Sequence, residues 1–325
     1  MLIVQEVKQL QKNTFQMSKI YISRIKESWV VDNFRKDFLN YYSDLTTKYV
    51  SRSNTIWIIA PWLFKSISKK QLINKNVLCS FYHLDENNQN DINLFKELEP
   101  FVTEFHTISE KSKKNLQKFT DKKINQIPFW VDTEKFYFIE DKTSLRKDLG
   151  FKEKDFLIGS FQRDSEGSDV SKPKLIKGPD IFIEIISKLN MKHSNLKVVL
   201  TGKRRNYIIN ELEKRNIDFV YFEMVDFELL NKLYNSLNLY IVSSRLEGGP
   251  QAIAECATTL TPILSTNVGV APQILSSSSI FEYSNFQSFF DSKPDVETAK
   301  LNVKEYETPN GIEKFKDMLC SLNES

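Results

Sequence analysis

The sequence predicts an α/β protein made of two Rossmann-like domains facing each other across a cleft. Three observations carry that expectation. Short apolar runs alternate with amphipathic stretches, the pattern of parallel strands joined by right-handed helical crossovers. The alternation starts afresh near residue 133 after an extended segment, and 325 residues exceed the roughly 250 at which single cores stop growing. Polar residues able to do chemistry fall after the apolar runs, where ligands of open α/β sheets bind.

Taken in order, residues 1–18 show no clear period and read as a short helix or a loose arm. Ile20 to Ser23 reads as a strand. Trp29 to Tyr49 places Val30, Phe34, Phe38, Tyr41, Tyr42 and Leu45 at helical spacing. Strands are expected at Ile56 to Ile59, Val77 to Tyr82 and Phe101 to Thr107, with a helix near Asp91 to Leu98. Ser109 caps a further helix from Glu110 to Phe119.

In the second half strands are expected at 156–161, 196–201, 218–223, 238–242, 262–265 and 279–283. Helices fall near 143–149, 179–190, 206–215, 226–236, 250–259 and 271–275. The tail from Val296 to Leu322 reads as two helical pieces divided at Pro309-Asn310-Gly311. These readings divide the chain into residues 1–132 and 133–304, with a tail helix over about 305–325 packing back on the first domain.

The composition excludes several classes. Hydrophobic residues make up 41% and mean hydropathy is −0.38, which fits a folded soluble domain and not disorder. The longest apolar run, Thr55 to Phe64, is about half of what a bilayer span needs and is broken by Pro61. Met1 to Leu10 carries Glu6 and Lys8 and lacks a signal-peptide core. Cys79, Cys256 and Cys320 have no metal-like spacing and read as reduced thiols of a cytoplasmic protein. The net charge of +3 hides an asymmetry. Residues 1–132 hold 20 Lys and Arg against 14 Asp and Glu, whereas the remainder holds 25 against 28. A basic first half can face an anionic acceptor or the inner face of a membrane as a peripheral contact. Nucleic acid is not expected, because no recognition motif accompanies the charge.

The most informative stretch follows the apolar run Leu237 to Val242. Ser243-Ser244-Arg245-Leu246-Glu247-Gly248-Gly249-Pro250 leads into Gln251-Ala252-Ile253-Ala254-Glu255-Cys256-Ala257. Pro250 suits the first helical position. The unpaired N–H groups of a helix start, with the positive end of its dipole, hold an anion, and glycines let a phosphate approach. Glu247 sits in the turn and Glu255 about a turn and a half up the helix. A nucleotide sugar has a diphosphate in its middle and hydroxyl-rich rings at both ends. Each carboxylate can accept from the hydroxyls of one ring while the turn holds the phosphates.

Glu247 and Glu255, with Gly-Gly-Pro after the first, resemble the E-x7-E signature of retaining glycosyltransferases of the GT-B fold, in particular glycosyltransferase family four, the group-one transferases. Ile127-Pro128-Phe129-Trp130-Val131-Asp132 followed by Phe136 resembles that family's interdomain segment. Leu145 to Gly150 and the run Thr261 to Ile274 also match in order. The resemblance implies a nucleotide-sugar-binding second domain and an acceptor-side first domain. It implies a catalytic set of Glu247, Arg163, Lys177 and His83, with Arg163 and Lys177 as clamps on the diphosphate. Transfer loads that diphosphate with negative charge, so fixed cations stabilise the transition state more than the ground state. The family's short loop is long here, and Lys172 or Lys174 can stand in for Lys177. His83 is expected to hydrogen-bond the donor sugar, and His106 is a weaker candidate. Gly248, Gly249, Pro250, Asn267, Val268 and Gly269 would line the donor, Glu255 would hold the ribose, and Lys203 and Arg204 would lie near the base.

The expected activity is retaining transfer of a sugar from a nucleoside-diphosphate sugar to a glycan or glycolipid hydroxyl, as in polysaccharide biosynthesis. The donor would be a UDP-sugar, with a GDP-sugar as the alternative. No cofactor is expected, and no metal, since the histidines are dispersed and no D-x-D pair is present. A catalytically silent GT-B scaffold, or an epimerase or phosphorylase on the same fold, are the other readings. A dehydrogenase is not expected, because no G-x-G-x-x-G follows a strand.

Overall fold

The computed structural model describes residues 19–24, 30–167 and 169–322. The arm expected over 1–18, the helix start at Trp29 and the last three residues of the tail lie outside them. Two units are delineated. The first comprises the chain up to Thr107, Lys113–Ile127 and the segment from Glu313, and the second comprises Ile108–Ser112 and Pro128–Ile312.

Among the described residues the first unit carries a parallel sheet of β1 (Ile20–Ile22), β2 (Thr55–Ile58), β3 (Asn76–Ser80), β4 (Glu104–Thr107) and β5 (Ile124–Gln126), in that spatial order. Alternation along the strands sorts the side chains. Ile56, Ile58, Val77, Cys79 and Phe105 point to one face, where Phe64, Leu72, Phe95, Leu98 and Leu116 cover them. Trp57 points to the other face. There it meets Phe38 of the helix Val30–Tyr41 and Phe315 of the helix Asn310–Ser321, each at a ring distance of 5.5 Å.

Two expectations need correction here, and one strand was not expected. The helix expected to run to Tyr49 stops at Tyr41. The apolar spacing of Tyr42 and Leu45 belongs to a turn, because the backbone of residues 45–47 is drawn out beside β1. Ile20 donates its N–H to Leu45 O at 2.9 Å and accepts from Thr47 N at 2.9 Å. Thr46 thus forms a parallel bridge to Ile20 on the edge of β1 away from β2. The strand expected from Phe101 begins only at Glu104, after a 3-10 turn at Glu99–Phe101. β5 is absent from the sequence reading, since Ile124-Asn125-Gln126 has one apolar residue and becomes a strand only through its pairing with β4.

A closed polar chain crosses this sheet. Trp57 Nε1 donates to Ser80 Oγ at 2.9 Å, and Ser80 Oγ lies 2.9 Å from His106 Nδ1. His106 Nε2 lies 2.7 Å from Ile127 O. A carbonyl only accepts, so Nε2 carries the ring proton and Nδ1 accepts from Ser80. Burial pushes the His106 imidazolium down to about 4, against the opposing pull of the Ile127 bond. His106, considered as a site residue from sequence, is fully buried and tied into this chain.

The second unit carries β6 (Phe156–Ser160), β7 (Leu196–Thr201), β8 (Phe219–Phe222), β9 (Leu239–Val242), β10 (Ile263–Thr266) and β11 (Ile280–Phe281). All pair in parallel in the order β11-β10-β9-β6-β7-β8. Ile158, Val198, Leu200, Ile241 and Leu264 feed one core layer, and Leu157, Val199, Tyr240, Val242 and Ile263 the other. Asp141, Asp226 and Asp295 cap their helices by accepting from the N–H groups of Ser144, Leu229 and Thr298. The interdomain segment is pinned from the tail, with Val131 N donating to Tyr306 O at 2.9 Å and Thr308 N to Val131 O at 3.0 Å.

Candidate active site

The strand order of the second unit reverses between β6 and β9. In a doubly wound sheet the crevice at the carboxyl ends of the two strands flanking such a reversal is where ligands bind. Here β6 delivers Gln162 and Arg163, and β9 delivers the turn from Ser243 to Pro250. β10 adds Asn267 to Gly269, and a 3-10 turn at Leu175–Lys177 precedes the helix Pro179–Asn190.

Close backbone packing ties these loops together. Gly178 has φ +62°, and a Cβ there would lie 1.8 Å from Ser243 O. Ser243 Oγ instead donates to Gly178 O at 2.8 Å, and Gln162 Nε2 donates to Lys177 O at 3.0 Å. Gly269, at φ +52°, allows the β10 loop to rest on the β9 turn, since a Cβ would meet Gly248 O at 2.5 Å. Only glycine satisfies both the sign of φ and the space at these two positions.

The side chains then converge. Lys177 Nζ forms an ion pair with Glu247 Oε1, and Ser244 Oγ donates to Glu247 Oε2 at 2.8 Å. Lys177 and Glu247 keep 22% and 17% of their side-chain surface open to solvent. Lys172, by contrast, pairs with Asp169 and is 72% exposed. Pro250 precedes the helix Gln251–Thr258 and does not occupy its first position, a shift of one residue from the sequence reading. Glu255 is only 9% exposed and accepts from Tyr234 OH at 2.6 Å. Burial lifts its carboxyl to about 7, opposed by the Tyr234 bond. Val268 is buried and Asn267 exposed.

Lys203 and Arg204 are exposed beyond β7. The Arg204 backbone joins the site region, its carbonyl accepting from Asp164 N and Ser165 N at 3.2 Å. The neighbouring Arg205, passed over in the sequence, is fully buried with its Nε 2.9 Å from Asp164 Oδ2, next to Arg163. Burial works against both charges, raising the Asp164 carboxyl and lowering the Arg205 guanidinium. Also missed were Tyr234, Ser244 and the pair Arg245–Asp180. The one available signal was position, since Ser244 and Arg245 flank the strand end that carries Glu247. His83 is exposed just past β3 and belongs to the first unit. The second unit thus brings together Glu247, Lys177, Gly248 and Gly269, with Arg163 at the adjoining strand end. Among the described residues no three His, Cys, Asp or Glu side chains gather as metal ligands would, and no helix is long and apolar enough to cross a membrane. Chemically, the arrangement offers a carboxylate, Glu247, paired with a cation, Lys177, beside the Gly248-Gly249 turn.

Residues 141–303, half of the chain, match the family model described as glycosyl transferases group 1. Comparison with curated protein sequences gives no match. Among solved structures, Anabaena HepE in complex with UDP-glucose is similar at TM-score 0.74 and 12% identity, covering 94% of this chain and 100% of that one. Sucrose-phosphate synthase from Thermosynechococcus elongatus is similar at TM-score 0.69 and 12% identity, with 93% and 81% covered. A TarM structure is similar at TM-score 0.62 and 14% identity, with 89% and 58% covered. At these identities the likeness is one of fold, the GT-B architecture of two Rossmann-like domains.

Proposed function

The chain belongs to the glycosyl transferases of group 1, a family of retaining hexosyltransferases, and we propose that it moves a sugar from a UDP-sugar to the hydroxyl of a glycan or glycolipid. The observation that carries this reading is the Lys177–Glu247 pair beside the Gly248-Gly249 turn, at the reversal of the second sheet. UDP is favoured over GDP because structures of similar fold hold UDP or UDP-glucose. The second domain would hold the donor and the basic first domain the acceptor.

In the proposed reaction Glu247 accepts from the donor sugar's hydroxyls and Glu255 from the ribose. Arg163 and Lys177 face the diphosphate, and Lys177 is preferred to Lys172 and Lys174 because Glu247 already holds it at the crevice. The sugar–oxygen bond to the diphosphate breaks as the acceptor oxygen bonds to the same face of the anomeric carbon. The acceptor's proton passes to the departing phosphate oxygen, so no separate base is required. His83 hydrogen-bonds the sugar, and the backbone of Asn267, Val268 and Gly269 lines the donor. Lys203 and Arg204 lie toward the base. Two side-chain cations take the charge that other classes give to a divalent metal. A cytoplasmic protein touching the inner membrane face through its basic half fits a glycolipid acceptor.

Glu247→Ala tests the reading. Transfer from a UDP-sugar should fall more than about 100-fold with the fold intact. Retention of a tenth of the wild-type rate, or a thermal shift with GDP and none with UDP, would overturn the role or the donor.

A further inference from the structure

We infer that Arg245 is a positioning residue for transfer: its guanidinium fork clamps the Leu175–Lys177 turn and Asp180 against the β9 turn and so fixes the separation of Lys177 from Glu247. The inference rests on the proposed roles of those two residues. Arg245 Nη1 and Nη2 reach Asp180 Oδ1 and Oδ2 at 2.7 and 2.6 Å, a two-pronged arrangement that only a planar fork can make. Nη1 also donates to Leu175 O at 2.7 Å. The backbone adds two more ties, with Arg245 N and Leu246 N both donating to Ile176 O, at 2.9 and 3.2 Å. Asp180 lies in the first turn of its helix, where the dipole favours a carboxylate.

The reason to assign this clamp to positioning is what else holds the turn. Leu175 and Ile176 are 52% and 43% exposed, so hydrophobic burial does not fasten it. Lys177 is the next residue, and Glu247 lies two beyond Arg245. Polar bonds across the two turns therefore set where the ammonium and the carboxylate stand. Arg245 and Asp180 keep 32% and 36% of their side-chain surface exposed, and such a pair adds little to global stability. A small displacement of a reacting group costs far more in rate than in folding.

The experiment uses the full chain and follows UDP release from UDP-glucose with water as acceptor, the thermal midpoint, and hydrogen exchange of peptides spanning residues 173–178. Arg245→Gln is expected to lower kcat roughly 30-fold with KM changed less than about threefold and the midpoint nearly unmoved. Exchange in the turn should quicken about tenfold as its ties are lost. Asp180→Asn should act in the same direction, and adding it to Arg245→Gln should cost nothing further, since both break one bond pair. Arg245→Lys, which keeps the charge without the fork, should leave kcat depressed. In a Glu247→Gln background the Arg245→Gln change should cost less than about threefold. The inference is overturned if kcat stays within threefold of wild type, if activity falls only in step with the midpoint, if exchange of the turn is unchanged, or if the loss is the same in both backgrounds. Should Glu247→Gln itself keep its activity, or the wild type neither bind UDP nor release it, the donor reading fails and takes the clamp with it. If Glu247→Gln is inactive and Arg245→Gln is not, the clamp alone fails.

Discussion

In the second unit three strands stand on either side of the reversal between β6 and β9, whereas in the first the outer half shrinks to β1 and the bridge at Thr46. Their polar interiors differ in the same sense. Trp57, Ser80, His106 and the Ile127 carbonyl are bonded to one another, and the first three side chains are fully buried. Lys177 and Glu247 are also paired, yet both keep open surface beside glycine-lined backbone. A polar group closed on its neighbours is a fastening, and one with surface left over can change partners.

The largest expected effect breaks the open region. Gly178→Ala forces a Cβ into the Ser243 carbonyl in a left-handed conformation, and UDP-sugar turnover should fall more than about 100-fold, with a lowered midpoint, in steady-state assays and melting curves. The next sharpens the contrast through pH. His106 has a folded value of about 4 against an ordinary 6.5, so the unfolded state binds the proton first. Its stabilisation is full above 6.5 and is lost as pH falls toward 4, by about 3 kcal/mol at most. Glu255 has a folded value of about 7 against an ordinary 4.5, so its contribution is full below 4.5 and is lost as pH rises toward 7. Denaturant melts between pH 4.5 and 7, followed by hydrogen exchange in each unit, should show opposite slopes.

A smaller effect comes from His106→Gln. It should destabilise the protein by about 2 kcal/mol through the broken polar chain while leaving kcat within about twofold well below the melting temperature. Smallest of all, Lys203→Ala with Arg204→Ala should raise the donor KM less than about threefold, since both side chains are exposed and screened. A larger rise in donor titrations would bring them into the site.

Much of the second unit was legible because its strands are apolar runs separated by cap and turn residues, as Asp226 and Pro179 illustrate. The first unit was harder to read. Tyr42 and Leu45 continued a helical spacing that backbone pairing with Ile20 interrupts, and β5 lacks any periodic signal. At the site, Glu247, Glu255 and the glycines stood out by type and spacing. Arg245 did not, because its partner Asp180 is 65 residues away in the chain.

By itself the sequence determined the alternation of strands and helices, the restart after the interdomain segment, and the acid–glycine–glycine–proline turn, since each is set by neighbours within a few residues. Tertiary structure alone decided that Lys177 meets Glu247, that Glu255 is nearly buried under Tyr234, and that His106 is a fastening. Those outcomes depend on which strand ends lie side by side, and strand order is fixed by packing between layers, over separations that no local pattern encodes.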